Sequence, residues 1–116
     1  LVLPAPAEDS ATVRARVVAA RERQKQRFAR LGATGLRTNA EASGRILEEI
    51  ARPDAEGLAL LRQAAETLNL SARGFHRTLR VARTLADLDG VETVGRMHIA
   101  EALSYRGEVL RQRQAA

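Results

Sequence analysis

The chain of 116 residues has no cysteine and no tryptophan, and its aromatic content is one tyrosine and two phenylalanines. Without cysteine there is no disulfide and no thiolate metal site, and the redox compartment is left open. The two histidines, His76 and His98, do not stand at a paired metal-ligand spacing, so no metal site is expected. With aromatics at 3%, a core must come from Leu, Ile, Val and Ala, small side chains that suit close helix–helix packing. The hydrophobic share of 45% is enough for one such core in a single domain. No run approaches the roughly 18 apolar residues of a membrane span. The opening Leu1-Val2-Leu3-Pro4 lacks the basic and apolar regions of a signal peptide. A cytoplasmic location without membrane contact is therefore expected. An initiating Met is also missing, and the chain reads as an excised piece of a longer protein.

The chain is rich instead in charge of one sign, gathered in one place. The net charge is +5. Between Ala11 and Leu31 stand seven basic residues (Arg14, Arg16, Arg21, Arg23, Lys25, Arg27, Arg30) and one acid, Glu22, so this stretch alone carries +6. A basic balance favours anionic partners: nucleic acid, nucleotide or an acidic protein.

Helical spacing dominates the rest. Residues 1–10, with Pro4 and Pro6, read as an extended linker, and Asp9 or Ser10 can cap the first helix. That long helix is predicted from Ala11 to about Leu31, part-buried along Val13, Val17, Ala20, Phe28 and Leu31, with its apolar stripe broken at Gln24. Thr38 and Glu41 have capping-box spacing and open a second helix to about Ala51. Pro53 suits the first turn of a third helix, with Asp54 and Glu56 at its positive end and Leu58, Leu61, Ala64, Ala65 and Leu68 giving it an apolar face. Ser71 reads as the N-cap of a fourth helix, Ala72 to Asp89, which Gly90 ends. A short connection, extended at Thr93-Val94, leads to a fifth helix near Arg96 that turns Ile99, Ala102 and Leu103 inward. Gly107 to Ala116 reads as a polar tail. The fold class is all-α, a bundle of four to five helices.

Enzyme signatures are absent: no G-x-x-x-x-G-K-[ST], no G-x-S-x-G, no H-E-x-x-H and no G-x-G-x-x-G. The carboxylate pairs Glu48-Glu49 and Asp87/Asp89 read as solvated faces. By itself the chain is expected to catalyse nothing.

The start of the fourth helix is chemically unusual. Ser71-Ala72-Arg73-Gly74 puts a cation in the first turn, the end that the helix dipole makes unfavourable for one by a few tenths of a kcal/mol or so. An anion seated there would be met by free N–H groups, the dipole and a guanidinium together, and Gly74 would let it come close. The alternative is that Arg73 pairs with an acid such as Glu101 or lies on the surface. Arg77 and Arg80 share its face and Arg83 borders it, giving either a strip for phosphates or an acidic partner, or a solvated face in which Arg83 pairs with Asp87 at i,i+4. In the first helix Arg14, Arg21 and Lys25 are candidate contacts to nucleic acid or to a neighbour. Base stacking has few aromatics to use. His76 and His98 read as structural or solvent-facing rather than catalytic.

Leu70-Ser71-Ala72-Arg73-Gly74-Phe75-His76-Arg77, followed by Leu79-Arg80-Val81-Ala82-Arg83-Thr84-Leu85-Ala86-Asp87-Leu88, resembles the C-terminal lid domain of magnesium-chelatase-like AAA+ ATPases. His98 to Arg106 resembles the closing element of the ComM/YifB branch, and the likeness runs from the basic first helix to Arg106. It implies an AAA+ lid over residues 11–106, behind a linker from a nucleotide-binding core outside this chain. Arg73 stands at the position of the sensor 2 arginine, which touches the nucleotide's terminal phosphates, with Ser71, Gly74 and Arg77 nearby. It further implies ATP with Mg²⁺ in the parent protein and none in the chain alone. The implied partners are the core and neighbouring subunits of a homo-oligomeric ring, a hexamer, linked to DNA processing.

Overall fold

The structure, a computed structural model, describes residues 9–33 and 35–115, with side chains through 105. The linker expected over residues 1–10 lies almost wholly outside them. Five helices follow one another among the described residues: α1 (Ser10–Arg30), α2 (Gly44–Ile50), α3 (Ala55–Thr67), α4 (Ala72–Asp89) and α5 (Arg96–Ala115), with a 3₁₀ turn, Asn39–Glu41, before α2. The all-α bundle is as expected, and no strand forms among the described residues. None of the helices is long and apolar enough to cross a membrane.

α4 is the centre of the bundle, packing against α1, α2, the 3₁₀ turn and α5, and α3 packs on α5. Its 3.6-residue pattern explains this. Thr78, Leu79, Ala82 and Ala86 are buried and Phe75 and Leu85 half-buried, so one broad face meets the rest of the core. Against it lie Phe28 from α1, Leu47 and Ile50 from α2, Leu61 from α3, and Ile99 and Ala102 from α5. Within α1 Ala20, Gln24 and Phe28 are buried and Val17 half-buried, so the helix is part-buried as expected, but Val13 and Leu31 at the ends of the predicted stripe are exposed.

Local chemistry sets the boundaries. Asp9 caps α1 through Thr12 N (2.7 Å), Asp54 caps α3 through Gly57 N (2.8 Å) and Ser71 caps α4 through Gly74 N (3.1 Å). α3 and α4 close with paired backbone bonds: Leu70 N to Ala65 O and Asn69 N to Glu66 O, then Val91 N to Ala86 O and Gly90 N to Asp87 O. Both closures need a residue at positive φ, supplied by Asn69 (52°) and Gly90 (74°).

Three boundaries differ from expectation. The second helix is split: Ala42 is extended (φ −78°, ψ 139°) and buried, so the chain leaves the 3₁₀ turn before α2 begins. Pro53 stands outside α3, in an isolated parallel bridge with Val94, and Asp54 takes the cap while its N–H donates to Val94 O (2.9 Å). The backbone of Gly57 lies so close to this joint that a Cβ there would meet Pro53 Cβ at 3.1 Å and Gly95 C at 3.3 Å. The tail expected from Gly107 is helical through Ala115, a continuation of α5.

Candidate functional site

At the start of α4 the Ser71 hydroxyl accepts the Gly74 N–H, and the Ser71 carbonyl accepts the Phe75 N–H at 2.9 Å. The N–H groups of Ala72 and Arg73 meet no acceptor among the described residues, so the positive end of an 18-residue helix is open to solvent. Arg73 is exposed and has no ion pair among the described residues. In particular it does not pair with Glu101, whose carboxylate instead faces the Tyr105 hydroxyl (3.4 Å). Gly74 is buried. The arrangement suits a small anion: a guanidinium and two unmet backbone donors at the end of an aligned set of peptide dipoles.

The strip beyond Arg73 divides. Arg77, one turn on, is exposed, and His76 Nε2 lies 3.4 Å from Glu48 Oε1 on α2. Arg80 is half-buried, and its Nε donates to the Ala42 carbonyl (2.8 Å), fastening α4 to the end of the 3₁₀ turn. Arg83 lies inside the molecule. Its Nη1 donates to the carbonyls of Glu92 (2.6 Å) and Ile50 (3.3 Å), and its Nη2 to Val91 O (2.9 Å) and Asp87 Oδ1 (3.0 Å). The i,i+4 pair with Asp87 forms, but neither member is solvated: Arg83 is 3% exposed and Asp87 0%. Arg83 is therefore unavailable as a contact on the outer face. Burial pulls its pKa down and the Asp87 carboxylate opposes that pull.

Asp87 corrects the reading of Asp87/Asp89 as a solvated pair. It is the hub of a buried network. Arg27 of α1 reaches it with both nitrogens (Nη1 to Oδ2 3.1 Å, Nη2 to Oδ1 2.5 Å), and Asn39 Nδ2 donates to Oδ2 at 2.9 Å. Asn39 also donates to Thr84 Oγ1 (3.1 Å), and its N–H goes to Gln24 Oε1 (3.0 Å). Gln24, where the apolar stripe of α1 breaks, is thus buried and bonded. Arg23 Nη1 donates to the Asp87 carbonyl (2.9 Å), near the dipole-negative end of α4. Two of the seven basic residues of α1 accordingly hold α1 to α4, while Arg14, Arg21, Lys25 and Arg30 are exposed.

The sequence did carry a signal for this network. Leu79, Arg83 and Ala86 stand at i, i+4 and i+7, so Arg83 shares the apolar face, and a polar residue on such a face asks for a buried partner. His98 is structural: its Nδ1 accepts the Gly95 N–H (3.0 Å) at the start of α5 and its Nε2 meets Asp89 Oδ2 (2.9 Å). Among the described residues no group of three or more His, Asp or Glu could hold a metal ion.

Comparison with known proteins gives a consistent family. The family described as magnesium chelatase, subunit ChlI C-terminal, matches residues 7–106. An uncharacterised protein of Mycobacterium tuberculosis is 45% identical over 102 residues, 88% of this chain and 20% of its own length. The uncharacterised YifB of Escherichia coli is 40% identical over 101 residues, 87% of this chain and 19% of its own. The competence protein ComM of Haemophilus influenzae is 36% identical over 102 residues, 88% of this chain and 19% of its own. The chain thus spans about a fifth of the length of these relatives. No solved structure gives a significant match.

Proposed function

Because this chain belongs to the magnesium chelatase ChlI C-terminal family, with YifB and ComM among its relatives, we propose that it is the helical lid of an AAA+ ATPase, in which Arg73 reads the phosphates of bound ATP. The observation that carries this reading is the state of Arg73: exposed, without an ion pair among the described residues, and beside two unmet backbone donors at the N-terminus of α4. The dipole disfavours a cation at that end by a few tenths of a kcal/mol or so, a cost that a bound anion would offset. A phosphate there gains from all three features at once.

The nucleotide's phosphates fit this chain's residues, whereas its magnesium does not. The ion needs oxygen ligands such as carboxylates, and no suitable cluster exists among the described residues. Those ligands, and the phosphate loop, belong to a core outside the chain. The chain alone turns over nothing. In the assembled ring it contributes a positive charge to the γ-phosphate and transmits the nucleotide state through α4 to the elements packed on it. DNA processing is the activity we assign to the motor, on the strength of the exposed Arg14, Arg21, Lys25 and Arg30 of α1 and of the competence role in the name of the Haemophilus relative.

The test is ATP turnover by the full-length parent, wild type against Arg73→Ala, with assembly checked for both. Arg73→Ala should lower turnover by about 100- to 1,000-fold, the scale of losing a cation at a phosphoryl transition state, with nucleotide binding largely kept. Unchanged turnover would reduce Arg73 to a surface residue and turn attention to the exposed basic face of α1 as a DNA or acidic-partner contact.

A further inference from the structure

A second concentration of arginine lies far from Arg73. From Arg73 to Arg83 the rise along α4 is about 15 Å. Beyond that point the end of α1, the α2–α3 turn and the loop after α4 border an open cavity of about 430 Å³. Arg27, Arg30, Arg52 and Arg83 line it, with Glu49 and Glu92. A smaller cleft of about 210 Å³ beside it shares Arg27, Arg30 and Glu92 and adds Arg23.

Three observations indicate that an acceptor is missing there. Arg83 is 3% exposed, and its Nε is the one buried side-chain nitrogen or oxygen without a partner among the described residues. Native structures rarely leave such a donor unmet unless a bound group or a water completes it. Next, the buried hub holds one carboxylate, Asp87, against two guanidiniums, Arg27 and Arg83, an excess of positive charge at low solvent exposure. Burial depresses the Arg83 pKa, and Arg27 adds to that pull while Asp87 and Glu92 oppose it. Finally, Arg30 and Arg52 come from different elements, are exposed, and form no ion pair among the described residues, even though Glu49 and Glu92 line the same cavity.

We propose that this arginine-lined cavity binds a phosphate group, with Arg30 and Arg52 as the outer clamp and Arg83 Nε as the inner donor. A tetrahedral phosphate presents oxygens in several directions, which matches donors arriving from α1, the α2–α3 turn and α4. A planar carboxylate matches a single guanidinium fork better. The site is independent of Arg73 and does not rest on the lid reading. The phosphate can come from a free polyphosphate or from a nucleic-acid backbone, and the two are separated by experiment.

The ¹⁵N-labelled 116-residue chain is titrated with inorganic pyrophosphate and, separately, with a single-stranded oligodeoxynucleotide lacking terminal phosphates, following backbone and arginine Nε–H resonances. Saturable shifts at Arg83 Nε–H and at residues 31, 52 and 92–93 are expected, with a Kd raised at least tenfold in the double variant Arg30→Ala/Arg52→Ala. Both positions are exposed and form no ion pair among the described residues, so that variant keeps its fold, checked by its unshifted core resonances. Saturation by pyrophosphate assigns a free phosphate compound, and saturation by the oligonucleotide alone assigns a phosphodiester backbone. Shifts confined to residues 71–75, a linear drift without saturation, or a Kd indifferent to the double variant would overturn the site and leave water as the partner of Arg83 Nε.

Discussion

Asp87 is wholly buried and accepts from Arg27 and Asn39 while facing Arg83 at 3.0 Å, so three side chains from three parts of the chain depend on one carboxylate. Removing it leaves two guanidiniums without their ion-pair partner, one of them buried. Asp87→Ala is therefore expected to cost about 3–5 kcal/mol in a urea melt of the chain, the usual loss when one member of a buried pair is deleted. Arg73→Ala, at an exposed residue without an ion pair among the described residues, should stay within about 0.5 kcal/mol in the same melt. That contrast separates holding the fold from acting on a ligand. It also marks what was legible. Arg73 stood out because its chemistry is local: a cap, a dipole and a charge within four residues. The Asp87 hub was hidden because its partners lie 48 and 60 residues away, in Asn39 and Arg27, and only packing brings them together. Arg83 could have been placed inside from its spacing to Leu79 and Ala86. Its charge and its i,i+4 acid suggested the surface instead.

At the scale of the elements, the joint between α3 and α5 is set by backbone approach. Gly57 is helical, and Gly→Ala inside a helix ordinarily gains about 0.5–1 kcal/mol. Here the new Cβ would meet Pro53 Cβ at 3.1 Å, Asp54 Oδ1 at 3.2 Å and the Gly95 carbonyl carbon at 3.3 Å, two of which are a ring and a backbone that cannot turn aside. Overpacking of that kind costs about 1–3 kcal/mol and wins, so Gly57→Ala should lower the urea midpoint. The capping carboxylate before α2 gives a pH signature. Glu41 accepts from the N–H groups of Arg37 and Thr38, and these bonds hold its pKa below the ordinary 4.5. A depressed carboxylate stabilises the fold above its unfolded pKa, and the contribution is lost as pH falls through the folded value. Stability should therefore drop on acidification below about pH 4.5, and Glu41→Gln should flatten that slope, being less stable than wild type at about pH 7 and converging with it at low pH. The helices themselves were legible because caps and closing glycines are written locally, as Ser71, Asp9 and Gly90 show. The split at Ala42 and the exclusion of Pro53 from α3 were not. Both answer to tertiary contacts, the burial of Ala42 and the Val94 carbonyl that accepts the Asp54 N–H.

For the molecule as a whole, the bundle holds α1 by one end. Residues 10–16 of α1 are exposed and Val17 is only half-buried, whereas Ala20, Gln24 and Phe28 are buried and Arg23 and Arg27 bond to Asp87. α4, by contrast, meets packed elements along its length, and a helix without a buried face has little to hold it beyond its own weak propensity. Native-state hydrogen exchange should accordingly divide α1. Amides of residues 13–18 should exchange with protection at least tenfold below those of residues 24–29, and α4 from Thr78 to Ala86 should be slowest. The half of α1 that opens first also carries Arg14, a candidate contact to nucleic acid or a neighbouring subunit. If that half is a docking surface, joining the chain to its parent core or adding DNA should raise protection over residues 13–18 and leave residues 78–86 unchanged. Equal protection along α1 in the isolated chain would mean that its first half is held as firmly as the second, and the division drawn from burial would fall.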